Sequence, residues 1–133
     1  MSHSKQFIDI FELTPDASRE GRVLYTARVG NVYMSQHVIE PGTTVNAHFH
    51  KQTRNIFYVE EGKVRCRFEH IVSKEYRAFE VKPGKDVLHI PENVAHEFSN
   101  VGSVPAVLVM FSNQQPRSGD DFDYIFIGGG NSS

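Results

Sequence analysis

Three observations predict an all-β fold for this chain. Short runs rich in Val, Ile, Phe and Tyr recur along it, turn residues separate them about every ten residues, and helical periodicity is scarce. So many short strands within 133 residues cannot all leave their edges open. Closure into a barrel or a double-sheet jelly roll is therefore expected.

The elements follow in order. Phe7–Leu13 is an extended start, and Pro15–Gly21 is a loop holding the one weakly helical stretch. Arg22–Val29 and Asn31–Ile39 are strands broken at Gly30–Asn31, and Pro41–Gly42 turns the chain into a strand over Val45–His50. Ile56–Glu60 and Val64–Phe68 form a hairpin around Glu61–Lys63, with Gly62 free to take positive φ. Val64, Cys66 and Phe68 alternate with Arg65 and Arg67, as a half-buried strand requires. Tyr76–Val81, Val87–Ile90, His96–Ser99 and Val104–Phe111 complete the set, and the last run is apolar enough to be central.

Composition bounds the function classes. Apolar residues make up 39% and charged residues 23%, so neither a disordered chain nor a membrane span is indicated. A net charge of −2 with scattered Lys and Arg offers no phosphate-tracking stripe, which argues against nucleic acid. Lys63, Arg65 and Arg67 read as the wet face of a strand. Cys66, the lone cysteine, excludes an internal disulfide and a thiolate-rich zinc site. It reads as a buried small hydrophobe, and with no export signal the cytoplasm is the expected location. The chain is read as one domain over residues 1–127, with 128–133 as a flexible tail.

The stretch Val45-Asn46-Ala47-His48-Phe49-His50 carries the first chemical signal. On a strand, His48 and His50 face the same way with Cα atoms roughly 6.6 Å apart. At that spacing both imidazoles can reach one ion at distances of ~2.1 Å. On a helix they would diverge by ~200° and could not share it. His96, after the turn-rich Pro91–Ala95, supplies a third imidazole. Other residues carry lesser readings. His37 and His70 are surface or strand-end residues, and Asn100 fixes a turn.

With these residues in place, the chain resembles the cupin family. The family's first motif is matched by Gly42, five residues, His48-Phe49-His50, four residues, Asn55, six residues and Gly62. The second is matched by Pro91-Glu92-Asn93, two residues, His96, three residues and Asn100, with Gly84 and Asp86 upstream. Asn93 stands where the family has Gly and tolerates the same left-handed turn. Asn55 stands where the family has its metal-binding Glu. The resemblance covers Asn31 to Phe111 and implies a double-stranded β-helix, the cupin jelly-roll barrel. It further implies one divalent transition ion (Zn, Fe, Ni or Mn) on His48, His50 and His96. The missing carboxylate's place is left to Asn55, to Gln52 or to water, with Asn55 favoured. Gln52, Tyr58, His89 and Phe98 are assigned to the substrate pocket.

Cupins host many chemistries, so three functions stay open. One is a metal-assisted enzyme, an isomerase or epimerase acting on a small sugar- or keto-type molecule. A weaker resemblance of His48–Lys51 and of Phe111–Asn113 with Asp121–Ile125 to cupins of polysaccharide and nucleotide-sugar metabolism points that way. The related ketoisomerases carry Arg-Gly where this chain has Val45-Asn46. The second is a three-histidine iron dioxygenase, and the third a non-catalytic module that binds a small ligand. A homodimer is expected from the family habit and from the apolar start Phe7-Ile8-Asp9-Ile10-Phe11.

Overall fold

The computed structural model describes residues 7–114 and 119–128. Its strands are β1 (Thr14–Arg19), β2 (Arg22–Val29), β3 (Val32–Ile39), β4 (Thr44–Phe49), β5 (Asn55–Glu61) and β6 (Val64–His70). There follow β7 (Tyr76–Val81), β8 (Leu88–Ile90), β9 (Val94–Asn100), β10 (Ala106–Ser112) and β11 (Phe122–Asp123). Among the described residues no helix is present, and so none is long and apolar enough to cross a membrane.

The strands form two antiparallel sheets ordered β1-β2-β3-β10-β5-β8 and β11-β4-β9-β6-β7. Their facing sides make the jelly-roll core. The apolar run expected to be central is β10, which lies between β3 and β5. Ala106, Leu108 and Met110 on its inner face meet Ile39, Phe57 and Val59 from its neighbours. The second sheet contributes Val45, Val64, Cys66, Val81 and Phe98. Phe57 is fully buried and packs edge-on against Phe98 at 5.1 Å, a burial that contributes about 1.5–3 kcal/mol. Cys66 is buried as well, and burial pushes its thiol up to about 12, so it is inert at neutral pH.

Turns hold the register as their residues dictate. Gly62 has φ +96°, and a Cβ there would sit 2.7 Å from Ala106 Cα, so the hairpin requires glycine. Asn93 takes φ +66° in the left-handed region, as its chemistry permits. Asn100 Nδ2 donates to the carbonyls of Ile39 (2.8 Å) and Val104 (2.9 Å), tying the two sheets at one corner.

Four expectations are corrected. Residues 14–19 form edge strand β1 against β2, not a loop with helical character. Pairing to β2 overrides weak local preference, and an edge strand tolerates Pro15. His37 is buried on the inner face of β3, in line with Ser35 and Ile39, and is not a surface residue. The wet-face reading of Lys63, Arg65 and Arg67 fails at Arg67, whose guanidinium is half-buried and bonds Glu97 at 2.7 Å. Gly128 is not part of a free tail: its N–H donates to the Glu69 carboxylate. Residues 129–133 of the expected tail lie outside the described residues.

The last described segment, residues 119–128, is a strap on the second sheet. Its first part pairs with the edge of that sheet as β11, with Phe122 opposite Phe49 and Asp123 opposite His48. Its second part covers the outer side of β6, where Phe126 lies under the Arg67 guanidinium at 4.4 Å and near Tyr76. Glu69, on the same side of β6 as Arg65 and Arg67, becomes fully buried beneath it. Burial would raise the Glu69 carboxyl. Hydrogen bonds from the Tyr124 hydroxyl and from the N–H groups of Gly128 and Ile127 outweigh that cost and hold it below its ordinary value.

Candidate metal centre

The second sheet brings the three histidines together. In β4 the register shifts between Val45 and His48, a local bulge that turns Val45 and His48 to the same side although they are three residues apart. His48 then lies directly opposite His96 on β9. His50 follows just past the end of β4, and its carbonyl accepts from the Asn93 N–H at 2.8 Å. The left-handed turn that replaces the family's glycine therefore fixes this end of the site. One potential ligand atom from each of His48, His50 and His96 lies within 4.8 Å of the others. The ring centroids are 4.4 to 5.2 Å apart.

Hydrogen bonding sets the state of each ring. His48 Nδ1 contacts the Asn46 carbonyl at 3.0 Å, and His96 Nδ1 contacts that of Val94 at 3.1 Å. His50 Nδ1 contacts the Asp120 carbonyl at 2.8 Å and Asp121 Oδ1 at 2.9 Å. A carbonyl can only accept, so each Nδ1 carries the hydrogen and each neutral ring keeps its lone pair on Nε2. Burial, reinforced by His48 and His50, pushes His96 well below its ordinary value, and burial lowers His48 as well. At His50 burial opposes the charge, but Asp121 and the Asp120 carbonyl outweigh it and raise the ring. Three adjacent rings with locked Nδ1–H groups are a donor set suited to a divalent ion, and the fit is good on this chemistry alone.

The histidines open on a cavity of about 340 Å³. Asn55 and Phe98, both expected here, line it. Asn55 is buried and accepts a hydrogen bond from the Ser112 hydroxyl on the adjacent strand. Gln52, Tyr58 and His89, assigned to the pocket from sequence, are not among its walls. Gln52 sits in the exposed turn after β4, because the strand ends at Phe49 and its parity does not continue. Tyr58 has the parity of exposed Ile56 and faces outward. His89 is exposed beside the Arg54 guanidinium, at 3.4 Å.

Asp121, His37 and Arg22 are among the lining groups that the sequence reading did not place here. Asp121 reaches the site from the strap and is the carboxylate nearest His50; that ring holds it below its ordinary value. His37, on the facing sheet, lines the same cavity with its Nε2 3.0 Å from Ser35 Oγ. Strand parity with Ile39 would have found it. Arg22, at the start of β2, also lines the cavity and is close enough to help lower His48.

Comparison with known proteins agrees with this fold. The family model described as polysaccharide biosynthesis C-terminal domain matches residues 21–122. The polyketide synthase CurC of Streptomyces cyaneus is 28% identical over 107 residues, covering 77% of this chain and 65% of CurC. The capsular polysaccharide assembling protein CapF of Staphylococcus aureus superposes with a TM-score of 0.71 at 24% identity, covering 91% of this chain and 34% of CapF. Oxalate decarboxylase of Bacillus subtilis, described with Mn(II) centres, superposes with a TM-score of 0.68 at 24% identity, covering 80% of this chain and 29% of that one. The chain thus spans less than two thirds of the length of each relative, and the structural likeness speaks for the fold. With the match over residues 21–122, the chain belongs to the polysaccharide biosynthesis C-terminal domain family and has the cupin jelly-roll fold.

Proposed function

We propose that the chain holds one divalent transition ion on His48, His50 and His96 and acts on a small keto- or sugar-type molecule bound through its oxygens. The observation that carries this reading is the common state of the three rings, each with Nδ1–H fixed on a carbonyl and Nε2 left as donor. Held by His48, His50 and His96, such an ion would supply Lewis-acid polarisation of a substrate oxygen. The chain's own residues do the rest. Asn55 and Ser112 offer neutral polar contacts, and His37, with Ser35 beside it, can take and return a proton from the facing wall. The family, and the name of CapF as a capsular polysaccharide assembling protein, support a sugar-linked substrate. CapF was also solved with the inhibitor 3-isopropenyl-tropolone, whose vicinal carbonyl and hydroxyl oxygens make a chelating pair.

The test is solvent exchange. Metal-loaded protein is incubated in D₂O with a panel of nucleotide-linked keto-sugars, and deuterium at the carbon beside the carbonyl is followed by NMR. Exchange is expected, and His37→Gln should slow it by roughly 10²- to 10⁴-fold with metal content unchanged. No exchange, together with O₂ consumption by the iron-loaded protein, would replace this reading with a dioxygenase. Calorimetric binding without either reaction would make the chain a ligand-binding module.

We also propose that two copies pair through the N-terminal segment. Phe7 is 95% and Ile10 79% exposed, and edge strand β1 follows directly. Light scattering at micromolar concentration should give twice 15.1 kDa, and a mass near 15.1 kDa would contradict pairing.

A further inference from the structure

The strap is joined to the metal centre by more than one bond. The Asp120 carboxylate accepts from the N–H groups of Lys51 (3.1 Å) and Gln52 (2.9 Å) and from Thr53 Oγ1 (2.8 Å), which holds the turn after His50. The Asp120 carbonyl and the Asp121 carboxylate both take the Nδ1–H of His50. Tyr124 N–H donates to the Ala47 carbonyl at 3.2 Å, beside His48. Nothing in residues 119–123 buries an apolar side chain deeply enough to hold this segment down by itself. Phe122 is only half-buried, against Phe49 at 5.4 Å.

The firm anchor lies farther along, on the outer side of β6. The Glu69 carboxylate is wholly buried and accepts from the Tyr124 hydroxyl and from the N–H groups of Ile127 and Gly128. Lys74 Nζ reaches the same tyrosine oxygen at 3.3 Å. A Cβ at position 128 would sit 2.5 Å from Tyr76 Cβ and 2.8 Å from Glu69 Oε1, so the backbone is pressed into this cradle and glycine is needed there. A fully buried carboxylate that spends its acceptors on one backbone segment fixes that segment's position.

We infer that Glu69 is a positioning residue for the metal centre: by docking residues 124–128 it seats Asp120 and Asp121 on His50 from the opposite side of the sheet. This rests on the metal reading above. Orientation of a ligating histidine by a carboxylate on its other nitrogen governs ion affinity. Strap docking and ion binding must then favour each other by the same factor.

The experiment pairs two readouts on the full chain. Zn²⁺ affinity is measured by competition with a chromophoric chelator, and amide hydrogen exchange is followed over residues 119–128 with and without Zn²⁺. Glu69→Gln and the milder Tyr124→Phe, which removes a single hydroxyl, should each raise the Kd for Zn²⁺ by roughly 10- to 100-fold. They should speed exchange in the strap, and saturating Zn²⁺ should restore part of the protection. Near-UV circular dichroism identifies any variant that fails to fold, and the comparison then rests on the other. Wild-type protein that binds no Zn²⁺ overturns the metal reading and this inference with it. Wild-type binding with Kd unchanged within about twofold in the folded variants overturns the inference alone and leaves Glu69 a structural anchor.

Discussion

His48→Ala should lower the affinity for a divalent transition ion by more than about 100-fold, beyond the effect of losing an outer partner of a ligand. His48 lies 4.4 Å from His96 and 5.1 Å from His50, ring centre to ring centre. Removing it leaves two imidazoles for an ion that seeks three or four donors. The fold should survive, with stability changed by about 1 kcal/mol or less. The reason is where the side chain sits: half-buried on a polar wall, outside the apolar cluster of Ile39, Phe57, Val64 and Leu108. Ion titration and a denaturant melt on the same sample separate the two effects. Loss of the ion together with collapse of the melt would mean that His48 supports the fold.

Asn55→Glu should act in the opposite direction and strengthen ion binding by at least about tenfold, worth 1.4 kcal/mol or more. Asn55 sits on β5 facing the cavity, in register with Ser112 of β10. Three neutral rings bring no charge of their own to the ion, and Asp121 is engaged with His50 Nδ1. An anionic oxygen at position 55 would supply part of the balance. Without an ion the same carboxylate is buried beside Ser112 with little solvation, so the ion-free variant should lose about 1–3 kcal/mol of stability. The variant's melting temperature should therefore respond more steeply to added Zn²⁺ than that of the wild type. It should also bind tropolone less well in the loaded state, because less positive charge is left to attract an anionic chelator. Weaker ion binding in the variant would leave the histidine assignment standing and remove Asn55 from the open side of the ion.

How far this was legible in the sequence depends on parity. His48, His50 and His96 could be found because strands alternate faces and both motifs are local in sequence. The same rule applied to β3 would have placed His37 inside, in step with Ile39. Gln52 lies outside the pocket because β4 ends at Phe49, Tyr58 because it shares the parity of exposed Ile56, and His89 because its parity is opposite to that of Ile90. Asp121 and Glu69 were hidden for a different reason. Their roles arise from a segment that returns to the sheet after β10, a contact that no local pattern encodes. A local signal was the alternation of Phe122, Tyr124 and Phe126, a period-two aromatic stripe that rests on the second sheet. Strand β1 was missed because its pairing, not its own propensity, makes it a strand.

In the proposed centre, three rings with hydrogen on Nδ1 present Nε2 to one ion. Long-range ¹H–¹⁵N NMR of the histidine side chains reads this directly. Before metal, His48, His50 and His96 should show the Nδ1–H state. On titration with Zn²⁺ at mildly alkaline pH, their three Nε2 resonances should shift together and saturate at one ion per chain, while those of His70 and His89 stay in place. Hydrogen on Nε2 in these rings, or Nε2 resonances that do not move as Zn²⁺ is added, would contradict the account.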